Sequence, residues 1–262
     1  MRVCVFVDGE NFRHSIVDLF SPQFQQEDYL PKSADWASLF DWIVKNVVDN
    51  GERVRTYWYV IKTLDFFPWS FPNPTKLTDP IKIREEQNKL QKLLSKHRPY
   101  KAELDALDDT RRPQRMMDIV DELNQRQKTL EKRFDGWIAL QEGITLKHKA
   151  IEFRRAGAMK CDLFQNTLGR EKAVDVKLAC DLITLKDIYD IAIIVTGDQD
   201  YVPAVEVIKD CGKRIVNVAF LTRGGQLLPG GARRLNQVTD WSFNIPFDTL
   251  ADHLHIRQLP LP

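Results

Sequence analysis

Five consecutive apolar residues, Ile191–Val195, stop abruptly at Thr196-Gly197-Asp198-Gln199-Asp200. The run is short and rich in β-branched side chains, so it reads as a strand buried on both faces, as in parallel sheets. In open α/β sheets the ligand crevice lies beyond the carboxyl ends of the strands. Here that end carries two carboxylates two residues apart. Their repulsion is tolerated where a cation or a hydrogen-bond network compensates it. A second run, Val3–Val7, ends in the same manner, at Asp8-Gly9-Glu10-Asn11.

Around these strands the pattern is that of a doubly wound α/β core. A helix is expected through about Phe20, and another from Trp36 to Asp49, capped by Ser33-Ala34-Asp35. Val54–Ile61 reads as a strand, Glu171–Lys186 and Tyr201–Cys211 as helices, and Arg214–Phe220 as a strand. The pattern breaks at Leu64–Pro80, which is rich in proline and aromatics and is assigned to no regular element. Polar helical stretches follow at Ile81–His97 and Pro113–Phe134, and Thr145–Phe153 alternates like a strand or hairpin returning to the sheet. The expected division is a core of residues 1–62 and 140–245, an inserted helical arm of 63–139 and an irregular tail of 246–262.

Net charge is +1, so any attraction to nucleic acid must be local. Residues 82–160 hold 19 Lys/Arg against 13 Asp/Glu, which makes the arm basic and leaves the core acidic. Cys4, Cys161, Cys180 and Cys211 lack metal-ligand spacing and read as reduced core thiols. The chain enters a strand at once without a signal sequence, and no apolar run approaches 18 residues. A soluble, cytoplasmic protein with no membrane partner is expected.

Asp8 and Asp198 are the first candidates for chemistry, since each follows a buried strand at the crevice edge. Asp200 combines a place there with capping of the next helix, and Asn11 can bind through its amide. On the helix beginning at Val174, an apolar stripe of Val174, Leu178, Leu182 and Leu185 has Asp181 at its centre and Asp175 at its flank. A carboxylate on an apolar face calls for a partner. A metal ion is one, and Lys177 one turn away is another. Asp175 alternatively stabilises the helix N-terminus. Oxygen donors without His or Cys select a hard cation, Mg²⁺ or Mn²⁺, able to assist in-line displacement at a phosphodiester. Nothing resembles the phosphate loop GxxxxGK[ST].

Four segments, VFVDGENF (Val5–Phe12), EKAVDVKLACDLI (Glu171–Ile183), IIVTGDQDYVPAVE (Ile193–Glu206) and GKRIVNVAF (Gly212–Phe220), stand in an order and character that resemble the NYN domain. The likeness is to the DUF88, or LabA-like, branch of the PIN-like nuclease superfamily, over roughly residues 1–62 and 140–222. The resemblance implies a three-layer α/β/α PIN-like (Rossmannoid) fold with a mostly parallel sheet, an acidic divalent-metal pocket and RNA-directed endonuclease activity. By motif position it implies Asp8, Asp175 and Asp198 as catalytic carboxylates. Metal ligands are implied at Asp8, Asp175, Asp181, Asp198 and Asp200, and substrate positioning at Asn11. Residues 63–140 resemble no part of the minimal domain.

The inserted arm supplies cations that can follow an RNA backbone: Lys89, Lys92, Lys96, Arg98, Lys101, Arg111, Arg112 and Arg115. The alternative is a solvated helix face. Phe66, Phe67, Trp69 and Phe71 can stack on bases or fasten the insertion to its domain. Arg223, Arg233 and Arg234, flanking Gly224-Gly225 and Gly230-Gly231, form another candidate phosphate patch. The stripe Met116, Ile119, Val120, Leu123, Leu130, Phe134 is a candidate contact with a second copy of the chain. The five histidines are too scattered to serve as metal ligands. The leading expectation is a metal-dependent ribonuclease cutting single-stranded or loop RNA. The alternatives are a non-catalytic regulator that binds RNA or protein, and an aspartyl-phosphate phosphatase. The phosphatase is disfavoured by Glu10 where a DxD motif needs aspartate.

Overall fold

The structure, a computed structural model, describes residues 1–20, 30–32, 34–230 and 232–256. Ser33 of the proposed cap, Gly231 of the glycine pair and the end of the tail (257–262) lie outside the described residues. In chain order the elements begin with β1 (Arg2–Asp8), α1 (Gly9–Phe20), α2 (Trp36–Val47) and β2 (Glu52–Phe67). Next come α3 (Pro80–Leu94), α4 (Arg98–Asp105), α5 (Arg112–Lys147), β3 (Ile151–Asp162) and β4 (Thr167–Lys172). The chain continues with α6 (Val174–Thr184), β5 (Ile191–Val195), α7 (Val202–Asp210) and β6 (Arg214–Leu221). It closes with β7 (Leu227–Leu228), α8 (Ala232–Val238), β8 (Trp241–Ile245) and α9 (Phe247–His253).

Two compact units result: Met1–Lys62, Trp137–Ala158 and Lys172–Pro262 form the first, and Thr63–Gly136 with Met159–Glu171 the second. In the first, β1 lies between β2 and β5, parallel to both, and β5 pairs parallel with β6. β8 extends β6 in parallel, while β7 pairs antiparallel with the end of β6. The mostly parallel α/β sheet matches the expected class. The period of two along β1 separates its faces. Val3, Val5 and Val7 join a core with Phe12 and Ile16 of α1, Trp36, Leu39, Phe40 and Ile43 of α2, and Leu250 and Ala251 of α9. Cys4, Phe6 and Asp8 point the other way, where Phe6 meets Tyr57, Tyr59 and Tyr189 and where α6 packs. The sheet is thus sandwiched between α1, α2 and α9 on one side and α6, α7 and α8 on the other.

Several boundaries differ from expectation. β2 runs to Phe67 where an irregular loop is expected, and its continuation alternates exposed and half-buried side chains. Thr145–Lys147 end α5, a single helix of 36 residues, and β3 begins only at Ile151. Glu171 and Lys172 close a strand, so α6 starts at Val174, after Ala173 at φ 69°. The tail is not irregular up to His253. Leu250 and Leu254 are fully buried, and each such side chain stabilises by about 1.5–3 kcal/mol, enough to hold a short helix. Cys4 and Cys161 are buried as expected, but Cys180 and Cys211 are exposed.

The second unit has its own core of Leu90, Leu94, Leu104, Met116, Ile119, Val120, Leu123, Leu163 and Phe164, with Leu130 packed against it. Most of the stripe assigned to a second copy is therefore covered by the chain's own α3 and α4. Phe66 and Phe71 pack against the same core, whereas Trp69 is 82% and Phe67 54% exposed.

Candidate active site

The first unit's acids gather where β1 and β5 end. Gly9 follows Asp8, and a Cβ there would lie 2.2 Å from the Tyr59 carbonyl oxygen. At Gly197, before Asp198, a Cβ would lie 2.0 Å from Cγ of Pro229. Neither site has room for a side chain, so both glycines serve close backbone approach at strand ends.

Asp8 is 1% exposed. Its Oδ2 accepts hydrogen bonds from Asn11 Nδ2 and Thr196 Oγ1, each at 2.8 Å, and its Oδ1 accepts from the Asn11 backbone N–H at 3.2 Å. Burial pushes this carboxyl up to about 6. The bonds from Thr196 and Asn11 oppose the rise, and the nearby Asp175 charge adds to it. Asp175, in the first turn of α6 and half-buried, presents an oxygen within 4.8 Å of an Asp8 oxygen. Burial and the charges of Asp198 and Asp200 raise it as well.

Tyr201 joins the two. Its hydroxyl lies 3.4 Å from Asp8 Oδ2 and 3.3 Å from Asp175 Oδ1, so one proton serves two carboxylates. Burial and the surrounding aspartates hold that proton on the phenol well beyond its ordinary range. Neither Tyr201 nor Thr196 is among the candidates that the sequence offers. A tyrosine at the start of a buried helix, next to a cluster of acids, needs a partner for its hydroxyl, and that is the signal by which it could have been found.

Asp198 is the cap of the short 3-10 turn Gln199–Tyr201. Its Oδ1 accepts from the Asp200 N–H at 2.9 Å, and its own N–H donates to Thr196 Oγ1 at 3.1 Å. The capping part expected of Asp200 is thus taken by Asp198, and Asp200 is exposed. Among the described residues, none of Asp8, Asp175, Asp198 and Asp200 forms an ion pair with a Lys or Arg. No protein cation among the described residues is paired with the negative charge at this strand edge.

Asp181 is placed differently. It is buried, and its carboxylate receives Arg154 Nη1 at 2.5 Å, Lys177 Nζ at 2.7 Å and the Tyr59 hydroxyl at 3.1 Å. Burial pushes it up, but these donors outweigh burial and hold it below the usual carboxylate range. The Lys177 partner expected from the helix spacing is present, and Arg154, which also lies over the Tyr57 ring at 4.2 Å, is added to it. All the negative charge Asp181 offers is met by protein cations.

In the second unit, half of the candidate RNA-binding cations are engaged with neighbouring acids. Lys89 bonds Glu86, Arg111 faces Asp108, Arg112 bonds Asp109, and Arg115 lies between Glu103 and Glu122. Among the described residues Lys92, Lys96, Arg98 and Lys101 form no ion pair. In the first unit Arg233 and Arg234 are exposed on α8, while Arg223 lies over Phe247 at 4.6 Å.

Among the described residues no helix is long and apolar enough to cross a membrane. No curated protein matches the sequence. Among solved structures, a protein of unknown function from Vibrio parahaemolyticus matches at 14% identity, covering 93% of this chain and 92% of its own, with a TM-score of 0.42. That likeness is too loose to carry an argument. Residues 100–229 match the model of the NYN domain, a span that contains Asp175, Asp181, Asp198, Asp200 and Tyr201 and begins after β1.

Proposed function

We propose that this chain, which carries an NYN domain, is a divalent-metal-dependent endoribonuclease acting on single-stranded or loop RNA. The NYN domain lies within the PIN-like nuclease superfamily, which supports phosphodiester hydrolysis as the class of reaction. The observation that carries the reading is the pair of carboxylates Asp8 and Asp175, within 4.8 Å of one another and, among the described residues, without an ion pair to Lys or Arg. Leaving such a pair uncompensated is costly, and a hard cation bound between oxygen donors removes that cost.

Asp8 and Asp175 would hold the ion, with the charge of Asp198 reinforcing the attraction. Bound there, Mg²⁺ or Mn²⁺ supplies Lewis-acid polarisation of a phosphodiester and neutralises charge on the leaving oxygen. The chain's own residues prepare the place. Asn11 and Thr196 fix the Asp8 carboxylate in one rotamer through both its oxygens, so little ordering remains to be done on binding. Tyr201 lends both acids a hydrogen bond, which limits their repulsion.

The test incubates purified protein with labelled single-stranded RNA and DNA in Mg²⁺, Mn²⁺ or chelator, beside Asp175→Asn. Asp175 is half-buried at a helix start, so the variant should fold, as a matched melting curve would verify. Cleavage of RNA that needs metal and disappears in the folded variant is expected. Equal residual cleavage by both proteins would mark contamination and leave a non-catalytic RNA- or protein-binding role.

A further inference from the structure

In the second unit, one ring gathers others around it. Phe164 is stacked on His97 with centroids 4.0 Å apart and planes 19° from parallel. Phe67 lies edge-on to it at 6.2 Å and Phe71 at 6.5 Å, and Tyr100 is tilted against it at 6.1 Å. Phe71 and Tyr100 pack against the unit's core. Phe67 is exposed, and two residues on, past the buried Pro68, Trp69 is more exposed still. Trp69 is not needed by the core that the neighbouring Phe66 and Phe71 already serve.

The charges sort around this cluster. His97 is flanked in sequence by Lys96 and Arg98, with Lys101 one turn into α4. These belong to the arm cations that make no ion pair among the described residues, while Lys89, Arg111, Arg112 and Arg115 are engaged by acids. Free cations next to exposed rings is the composition that holds single-stranded nucleic acid: the cations follow the phosphates and the rings take unpaired bases.

We infer that Phe67 and Trp69, with Lys96, Arg98 and Lys101, form a binding surface for single-stranded RNA on the second unit. This rests on the nuclease reading for the choice of polymer, but it is testable without cleavage. Base–aromatic stacking is worth about 1–3 kcal/mol per base, or roughly 5- to 150-fold in affinity at 1.4 kcal/mol per tenfold. Removing one cation from the phosphate backbone of a single strand lowers the salt slope by about 0.7.

The experiment measures fluorescence anisotropy of a labelled single-stranded RNA, and of its duplex, with full-length protein in chelator. It compares wild type, Trp69→Ala, Phe67→Ala, Lys96→Ala/Arg98→Ala, and Lys89→Ala as a control whose cation is already engaged. All these side chains except Phe67 touch little of the core, and matched melting temperatures would secure the comparison. Expected are at least fivefold weaker binding for Trp69→Ala and for the double variant, a shallower salt dependence for the double variant alone, no change for Lys89→Ala, and weaker binding of the duplex. Unchanged affinity in both Trp69→Ala and the double variant would overturn the surface, as would failure of wild type to bind RNA. The nuclease reading fails separately: RNA held by this surface but never cut with metal would leave the surface standing and remove the catalysis. Metal-dependent cutting with normal affinity in every variant would do the reverse.

Discussion

Asp8 and Asp181 are both buried acids of the first unit, on the same side of the sheet, and they are handled in opposite ways. Asp181 receives an arginine, a lysine and a tyrosine hydroxyl, and its carboxyl is held low. Asp8 receives an amide, two hydroxyls and a backbone N–H but no cation, and its carboxyl is pushed up to about 6. Hydrogen bonds alone do not cancel a buried charge when a second carboxylate stands within 4.8 Å. Burial of an acid therefore marks a structural ion pair in one place and a place suited to a bound cation in the other. What separates them is the compensation, not the burial.

The widest gap between the two should open in activity. Asp8→Asn removes a negative charge from the proposed metal site, and loss of about 10³-fold in metal-dependent RNA cleavage is expected, comparable to deleting one preorganised electrostatic group. The same variant should be at least as stable as wild type in chelator, because it relieves repulsion with Asp175. Rates and melting curves measured on one preparation check both halves. A variant that loses activity by unfolding would erase the contrast.

Asp181→Asn should behave in the opposite sense. Removing one partner of a buried pair costs about 3–5 kcal/mol. The low end applies here, because Lys177 is 44% exposed and can turn to water, while Arg154 keeps Glu152 at 3.0 Å. Denaturant titration should show a fall of about 3 kcal/mol, with cleavage per folded molecule retained. If instead cleavage falls with stability unchanged, Asp181 belongs to the catalytic cluster and the two acids are alike.

The pH dependence sharpens the same comparison. Asp8 sits at about 6 in the folded protein against an ordinary value of 3.8. For a carboxyl raised by folding, protonation favours the folded state: the contribution is fully present below about 4 and is lost as pH rises through about 6. The shift of about two units corresponds to roughly 3 kcal/mol. In chelator, the stability of wild type relative to Asp8→Asn should therefore rise by up to that amount between pH 7 and pH 4, while the raised carboxyl of Asp175 titrates in both proteins and largely cancels in the difference. Asp181 is lowered below its ordinary value of 3.8, so its contribution is fully present above about 4, and wild type should lose stability relative to Asp181→Asn only as pH falls below that. Paired denaturation series from pH 2 to 8 would show two difference curves of opposite slope, the Asp8 curve moving between about pH 7 and 4 and the Asp181 curve only below about 4. Parallel slopes would refute the assignment.

How much of this can be read from the chain alone depends on the distance over which each partner acts. Asp8 and Asp198 are legible because a buried strand followed by an acid is a local pattern, and Lys177 because it lies one turn from Asp181. Arg154 is not: it reaches Asp181 from β3, 27 residues away, and no periodicity links the two. For the same reason the arm's stripe reads as a contact with a second copy, since the strand-end residues Leu163 and Phe164 that help cover it come later in the chain. The end of α5 is hidden because its last turn also alternates loosely. The ordered tail is hidden because Leu250 and Leu254 gain their stability from a core that the local sequence does not display.

Tyr201 gives the smallest and most discriminating effect. Tyr201→Phe keeps the buried ring and removes only the hydroxyl shared by Asp8 and Asp175, at a cost of about 1 kcal/mol in stability. That hydroxyl lowers the Asp175 carboxyl, so without it the pair should take up protons more readily. The acid limb of the cleavage profile should then move to higher pH by a fraction of a unit. The plateau rate should stay within about tenfold of wild type, since deleting a neutral donor removes no charge from the proposed metal site. A plateau loss as deep as that of Asp8→Asn would mean that the phenol touches the reacting atoms. The hydroxyl would then count with the carboxylates as part of the chemistry, and lack of a cationic partner would no longer be enough to define the site.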